Sequence, residues 1–163
     1  MTQMSPAAIL PYGFLFSVEI LGKPLVNFTG IEAGFQEVLG INASMKLDSI
    51  TEGGENRFVH KVPARVSFDS NLELKRGLMV ADSPFGKWCR DHLSSGLNAV
   101  SVGKKIQTRD IIVHLLDSDQ KPLMSWQFVR AYPVKWEVTG LNAKQNDIAV
   151  ESIELAYQYF TTV

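Results

Sequence analysis

The chain has 163 residues, 45% of them hydrophobic and 20% charged, with a formal charge of −1. That mix suits one globular domain with its own core, and the near-neutral charge argues against a nucleic-acid binder, whose affinity comes from Lys and Arg neutralising phosphates. The single cysteine, Cys89, allows no disulfide within the chain and suits a reducing compartment.

In chain order, residues 1–11 read as a loose leader. The first basic residue is Lys23, so no positive region precedes an apolar stretch as a secretory signal requires. Synthesis in the cytoplasm without a signal peptide is the expectation. The apolar run at 9–20 is broken by Pro11, Gly13, Ser17 and Glu19, too short and interrupted to span a membrane. Residues 13–20 alternate, with Phe14, Phe16, Val18 and Ile20 on one face and Ser17 and Glu19 on the other: a half-buried strand. Residues 22–24 are a turn. Residues 28–45 hold one or two strands, bent or bulged at Gly30, Gly34 and Gly40.

Next comes "SITEGGENRFVHKVPAR", residues 49–65, polar between two strand-like flanks. Residues 71–78 form a strand. Residues 82–96 have the one convincing helical period, with Phe85, Trp88, Cys89 and Leu93 apolar. Ser83 can cap this helix, Pro84 suits its first turn and Gly96 its end. Residues 109–117 are a strand and 118–122 a hairpin turn. Residues 123–138 are a long strand interrupted at Pro133, which implies an edge or a bulge. In the last strand, 146–160, the apolar parity switches between Val150 and Ile153, and a bulge near Glu151–Ser152 would restore one inward face. Many strands and one helix predict a single mainly-β domain over 1–163, with two packed antiparallel sheets (a sandwich or barrel) and one flanking helix.

Catalytic motifs are missing. There is no Gly-x-Gly-x-x-Gly and no Gly-x-Ser-x-Gly, and no Gly-Lys pair is followed by Ser or Thr. His60, His92 and His114 lack metal-ligand spacing. Cys89 and His92 could lie side by side as a thiolate–imidazole dyad, but a packed helical stripe explains them better. Asp117 and Asp119 read as a solvated turn, since a calcium loop needs more oxygen ligands and a central glycine. Lys104, Lys105 and Arg109 read as a solvated loop. Trp88, Trp126 and Trp136 could form a stacking platform, but Trp88 and Trp126 read as core. No catalytic residue, metal or cofactor is assigned.

Five segments taken in order resemble a known family: "GGENRFVHKVPAR", "NLELKRGL", "KWCRDHL", "PLMSWQFVRAYPVKW" and "LNAKQNDIAVESIELAYQYF". They look like the tail tube proteins of contractile phages and phage-tail-like injection systems, over residues 12–160. The forms "GENRFVHK", "KWCRD" and "LAYQYF" resemble the tube-initiating, baseplate-side branch; the alternative is the bulk tube subunit. The resemblance implies a hexameric ring around a lumen and no catalysis. Its partners would be other copies of the chain, adjacent tube rings, and baseplate and spike proteins, with the sheath and lumenal cargo also admitted. Nucleic acid is not a specific ligand, and the protein does not insert into membranes by itself. A polar strand face in residues 151–160 would suit a water-filled lumen. The family pattern does not explain the extension between Gly96 and Arg109.

The resemblance also answers what the Gly-Gly segment is: an arm between two strands that reaches a neighbouring subunit or ring. Ser49, Glu52, Gly53, Gly54, Glu55, Asn56, Arg57, His60 and Lys61 would make the contact. Gly53 and Gly54 permit a tight tip, and the mixed charges suit a polar interface rim. A plain surface loop is the alternative. A phosphate cradle is disfavoured, because Glu52 and Glu55 would repel an anion.

Overall fold

The structure is a computed structural model and describes residues 15–21, 31–78, 83–97, 107–141 and 149–163. The strands run β1 Leu15–Leu21, β2 Ile31–Phe35, β3 Glu37–Leu39, β4 Ser44–Ile50, β5 His60–Ser67 and β6 Leu72–Gly77. The helix α1 Pro84–Leu97 follows, then β7 Arg109–Leu116, β8 Pro122–Thr139, β9 Val150–Ala156 and β10 Tyr159–Thr162. Hydrogen bonding links them in the order β2-β1-β7-β8-β9-β6-β3, with β10 also on β8 and every pairing antiparallel. Among the described residues the architecture is mainly β with one helix, and the path, made of two sheets that share β8 (β2-β1-β7-β8 with β10, and β8-β9-β6-β3), stays open rather than closing as a barrel. Among the described strands β4 and β5 pair with each other and with no other.

The 18-residue strand β8 belongs to both of those sheets. Its first half pairs with β7 and β10, its second half with β9. Such a strand must bend, and two irregularities supply the bend. Arg130 takes a positive φ of 53° where the β7 register shifts between Arg109 and Ile111. Its N–H donates to the Asp110 carboxylate at 2.8 Å, a side-chain substitute for a ladder bond. The second shift falls between Pro133 and Lys135. Proline has no N–H to give the ladder, so the expected interruption is a bulge, here within a central strand. On the other side, β2 passes directly into β3, and the N–H of Gln36 at their junction donates to the Lys75 carbonyl at 2.9 Å.

The core gathers Val18, Phe35, Leu72, Leu74, Ile111, Val113, Phe128, Ile153 and Leu155 from the sheets, and Phe85 and Cys89 from α1. Phe85 and Cys89 are one helical turn apart, so one face of the helix is buried. Trp88 and Trp126 pack against this core in part. Ser83 caps α1 as expected: its Oγ accepts the Gly86 N–H at 3.0 Å and its carbonyl accepts the Lys87 N–H at 2.8 Å. The turn after β7 also forms. Asp117 Oδ1 accepts the N–H groups of Asp119 and Lys121 at 2.9 and 2.8 Å, the Asx-type turn the sequence calls for.

Several expectations need correction. No bulge sits at Glu151–Ser152, because the β6–β9 register runs unbroken from Gly77↔Val150 to Leu72↔Leu155. The inward position is filled by Glu151 itself, paired with Arg76. Ser17, expected outside, is buried beside a register shift between Phe16 and Ser17. Residues 28–45 contribute to three strands. The last strand breaks at Tyr157–Gln158 into β9 and β10. The leader 1–11, Phe14, the turn 22–24, Gly30, Lys104, Lys105 and Ile148 lie outside the described residues, as does most of the Gly96–Arg109 extension. No helix among the described residues is long and apolar enough to cross a membrane.

The Arg76–Glu151 pair is almost without solvent, each side chain 3% exposed. Arg76 Nε donates to Glu151 Oε2 at 2.7 Å, and Arg76 Nη2 donates to Ser83 Oγ at 2.7 Å. Trp136 Nε1 donates to the other carboxylate oxygen at 2.8 Å, and the guanidinium lies 4.9 Å from the centre of the Phe35 ring. Removing one member of a buried pair strands the other charge. Arg76→Met is therefore expected to cost about 3–5 kcal/mol. Arg76→Met combined with Glu151→Leu should recover most of that loss, because no buried charge remains. Urea unfolding of the three proteins checks this ordering.

Candidate functional site

The segment that raised the functional question is a hairpin standing off the body. β4 and β5 are exposed along their lengths up to Val66, and only Ser67 at the root is buried. Pairing places Ile50 opposite His60, Ser49 opposite Lys61, Asp48 opposite Val62, Leu47 opposite Pro63 and Met45 opposite Val66. Alternation then puts Met45, Leu47, Pro63 and Val66 on one face. Ile50 and Val62 lie on the other. Phe58 and Val59 near the tip are exposed as well. The register shift between Met45 and Leu47 adds twist near the root.

An isolated two-stranded hairpin is marginal in water. This one also carries exposed apolar residues on both faces, the usual mark of an interaction surface. All nine residues singled out in the sequence sit on it, and Glu55 alone is half-buried. The apolar residues beside them are not among the nine. In the sequence they alternate with Lys46, Asp48, Lys61 and Arg65, and with neither face buried that alternation is a weak strand signal.

The tip is organised. Gly54 takes a φ of 95°, a conformation that favours glycine, and the Glu55 N–H reaches the Glu52 carbonyl at 3.3 Å. The Glu55 carboxylate accepts the Arg57 backbone N–H, Nε and Nη2 at 3.0, 2.9 and 2.9 Å. Those bonds hold the Glu55 carboxyl below its ordinary range and raise the Arg57 guanidinium. His60 Nε2 lies 3.6 Å from Glu52, and its ring meets Phe58 edge-on at 5.0 Å.

A second surface is the outer face of β3, β6, β9 and the end of β8. Lys75 lies 3.3 Å from Glu37 and 3.7 Å from Glu73, and Lys135 lies 2.6 Å from Glu137. Ser152 donates to Glu73 at 3.0 Å and Asn71 to Glu154 at 2.8 Å. The Glu137 hydrogen bond and charge, followed by Glu154 and Glu73, raise the Lys135 ammonium pKa. The polar strand face expected in residues 151–160 is thus present through Ser152 and Glu154.

Cys89 has no solvent exposure and packs within the core. His92 lies against the rings of Trp88 and Tyr132 at 6.4 and 6.5 Å, and burial lowers its pKa. Trp136, the most exposed of the three tryptophans, is pinned by Glu151, with Arg90 5.9 Å from its ring centre. Among the described residues, no group of three His, Cys, Asp or Glu side chains could hold a metal.

Comparison with known proteins points the same way. The family model described as T4-like virus tail tube protein gp19 matches residues 12–161. Among solved structures, a chain of the anti-feeding prophage baseplate is 25% identical, with 98% of this chain and 97% of that chain covered and a TM-score of 0.67. A chain from the sheath/tube terminator of an extracellular contractile injection system is 21% identical, with 99% of both chains covered and a TM-score of 0.66. A chain of the anti-feeding prophage tube terminating cap is 19% identical, with 100% and 94% covered and a TM-score of 0.67. No curated protein matches the sequence.

The His92 environment generates a pH prediction. A histidine whose folded pKa is depressed favours the neutral form in the fold. Its contribution is present above the unfolded value of about 6.5 and is lost as pH falls through the folded value. Thermal unfolding should therefore show an acid-side loss of stability below about pH 6.5, and His92→Gln should flatten it.

Proposed function

The chain belongs to the T4-like virus tail tube family, and from that membership we propose that it forms a hexameric ring around a lumen where an inner tube meets its baseplate and spike. It is a structural protein of a contractile injection system, not an enzyme. The observation that carries the ring is the hairpin of β4 and β5. Its apolar faces have no partner within the described body of the protein, and a neighbouring copy is the occupant that completes them. Ser49, Glu52, Gly53, Gly54, Glu55, Asn56, Arg57, His60 and Lys61 then form the polar rim of that contact. The charged face with Lys75, Glu73, Glu154 and Lys135 suits the wall of a water-filled channel.

The same fold could serve as the bulk tube subunit. The baseplate position is favoured by the forms "GENRFVHK" and "LAYQYF" and by the 25% identity to a baseplate chain of the anti-feeding prophage. Head-to-tail stacking needs two different complementary faces. A bulk subunit matches its own opposite face and polymerises without limit. A tube-initiating ring instead presents baseplate and spike proteins on one side and the first tube ring on the other, with the sheath outside.

Three measurements test this. Negative-stain images of the purified protein should show single rings or short stacks of uniform diameter; a persistent monomer removes the ring. Replacing residues 51–57 by a tight turn should leave unfolding of the body nearly unchanged and weaken ring formation. Equal assembly of the shortened protein would make the segment a plain surface loop. In intact particles, proteomics should find this chain at one layer's worth of copies. Copy numbers comparable to the sheath protein would make it the bulk tube subunit.

A further inference from the structure

We propose that Tyr157 is the positioning residue of the arm: it ties both roots of the hairpin to the central strands and so sets the direction in which the arm projects. That the direction matters for assembly rests on the function proposed above. The gripping geometry does not.

Tyr157 sits in the break between β9 and β10. Its hydroxyl donates to the Gly40 carbonyl at 3.1 Å, a few residues before β4 begins. Its ring meets Phe68, the first residue after β5, edge-on at 6.4 Å. One side chain therefore meets the chain just before it enters the arm and just after it leaves.

The grip is anchored inward. The Tyr157 ring packs edge-on against Phe128 at 4.9 Å, and Phe128 is fully buried. Phe160 lies 5.4 Å from both Phe68 and Phe128 and 6.2 Å from Tyr157, which closes a four-ring cluster. Such edge-on pairs have preferred geometry, so the cluster transmits orientation as well as burial.

The approach to Gly40 also has a local cause. Gly40 takes a φ of 87°, and a Cβ there would collide with the Asn71 carbonyl oxygen. The backbone at the root can pass this close only as glycine. Ser44 and Ser67 share a hydroxyl–hydroxyl bond at 3.0 Å, and Ser67 donates to Asp69 at 2.9 Å. The first of these holds the two arm strands to each other, and the second fixes the Ser67 hydroxyl locally. Tyr157 and Phe68, with Ile41 packed on the core beside them, hold the pair to the body.

A tyrosine that merely fills space would tolerate loss of its hydroxyl without any change in the arm. Tyr157→Phe separates the two roles. The full-length protein carries nitroxide labels at Asn56→Cys and Thr139→Cys and is diluted with unlabelled chains, so that only distances within one chain are read. Double electron–electron resonance should show a broader distance distribution in Tyr157→Phe. The population with a released root should rise about fivefold, the equivalent of the roughly 1 kcal/mol that one hydrogen bond contributes. Phe68→Leu should broaden it as well. Tyr159→Phe, at a neighbouring exposed tyrosine, should not. Thermal unfolding confirms that each variant is folded.

An unchanged distribution in Tyr157→Phe overturns the proposal, and so does equal broadening in Tyr159→Phe. A broadened arm that still builds rings at the parent's yield upholds the positioning role and counts against the arm as the assembly contact. A broadened arm with reduced ring yield supports both.

Discussion

The charge pair buried between β6 and β9 is the constraint on which the rest of the body depends. Burying two ions is unfavourable unless every donor and acceptor is met, and here the partners come from separate parts of the chain. Arg76 reaches Glu151 on the adjacent strand and Ser83 at the helix cap, and Glu151 also accepts from Trp136 on β8. The cap hydroxyl that starts α1 is thus the same atom that receives the buried guanidinium. The helix cannot shift along the sheet without exposing a charge. A purely apolar seam would be similarly stable and much less particular about where the helix begins. We read the pair as a device that fixes register between helix and sheet.

The same pair marks where the sequence stopped being legible. A glutamate near the start of "VESIELA" reads as outward-facing, and a parity switch then calls for a bulge that does not exist. Charge and inward position conflict at Glu151, and only Arg76, 75 residues away in sequence, resolves them. Local cues succeeded where their cause was local: Ser83 and Pro84 at the helix start, the Asp117 turn, and Pro133 where the ladder lacks an N–H. Residues 49–65 are legible as a polar segment between strands and not as a hairpin in their own right. Period-two alternation identifies a strand when one face is buried; with both faces exposed in the monomer, as on Leu47 and Val62, the pattern carries little signal.

The core and the hairpin are kept apart in this molecule. The body holds its rings, its buried pair and its helix within the two sheets. The hairpin contributes almost nothing to that core, and its exposed apolar residues would be a liability in a protein that stayed alone. Its tip is nonetheless ordered by its own bonds, with Glu55 clamped on Arg57. A preorganised tip loses less conformational freedom on docking.

The bend in the central strands brings these two halves together. Register places Arg130 and Ala131 of β8 across from Tyr157 and Gln158. On one side of the pair, the positive φ of Arg130 turns β8 from one sheet into the other. On the other side, β9 gives way to β10, and the Gln158 N–H keeps the strands joined through the Val129 carbonyl at 3.0 Å. A regular strand would send Tyr157 into strict alternation with its neighbours. The break leaves its ring packed on Phe128 while its hydroxyl reaches Gly40. The distortion that lets one strand serve two sheets therefore also frees the side chain that holds the arm, so the direction of the arm is built into the twist of the body.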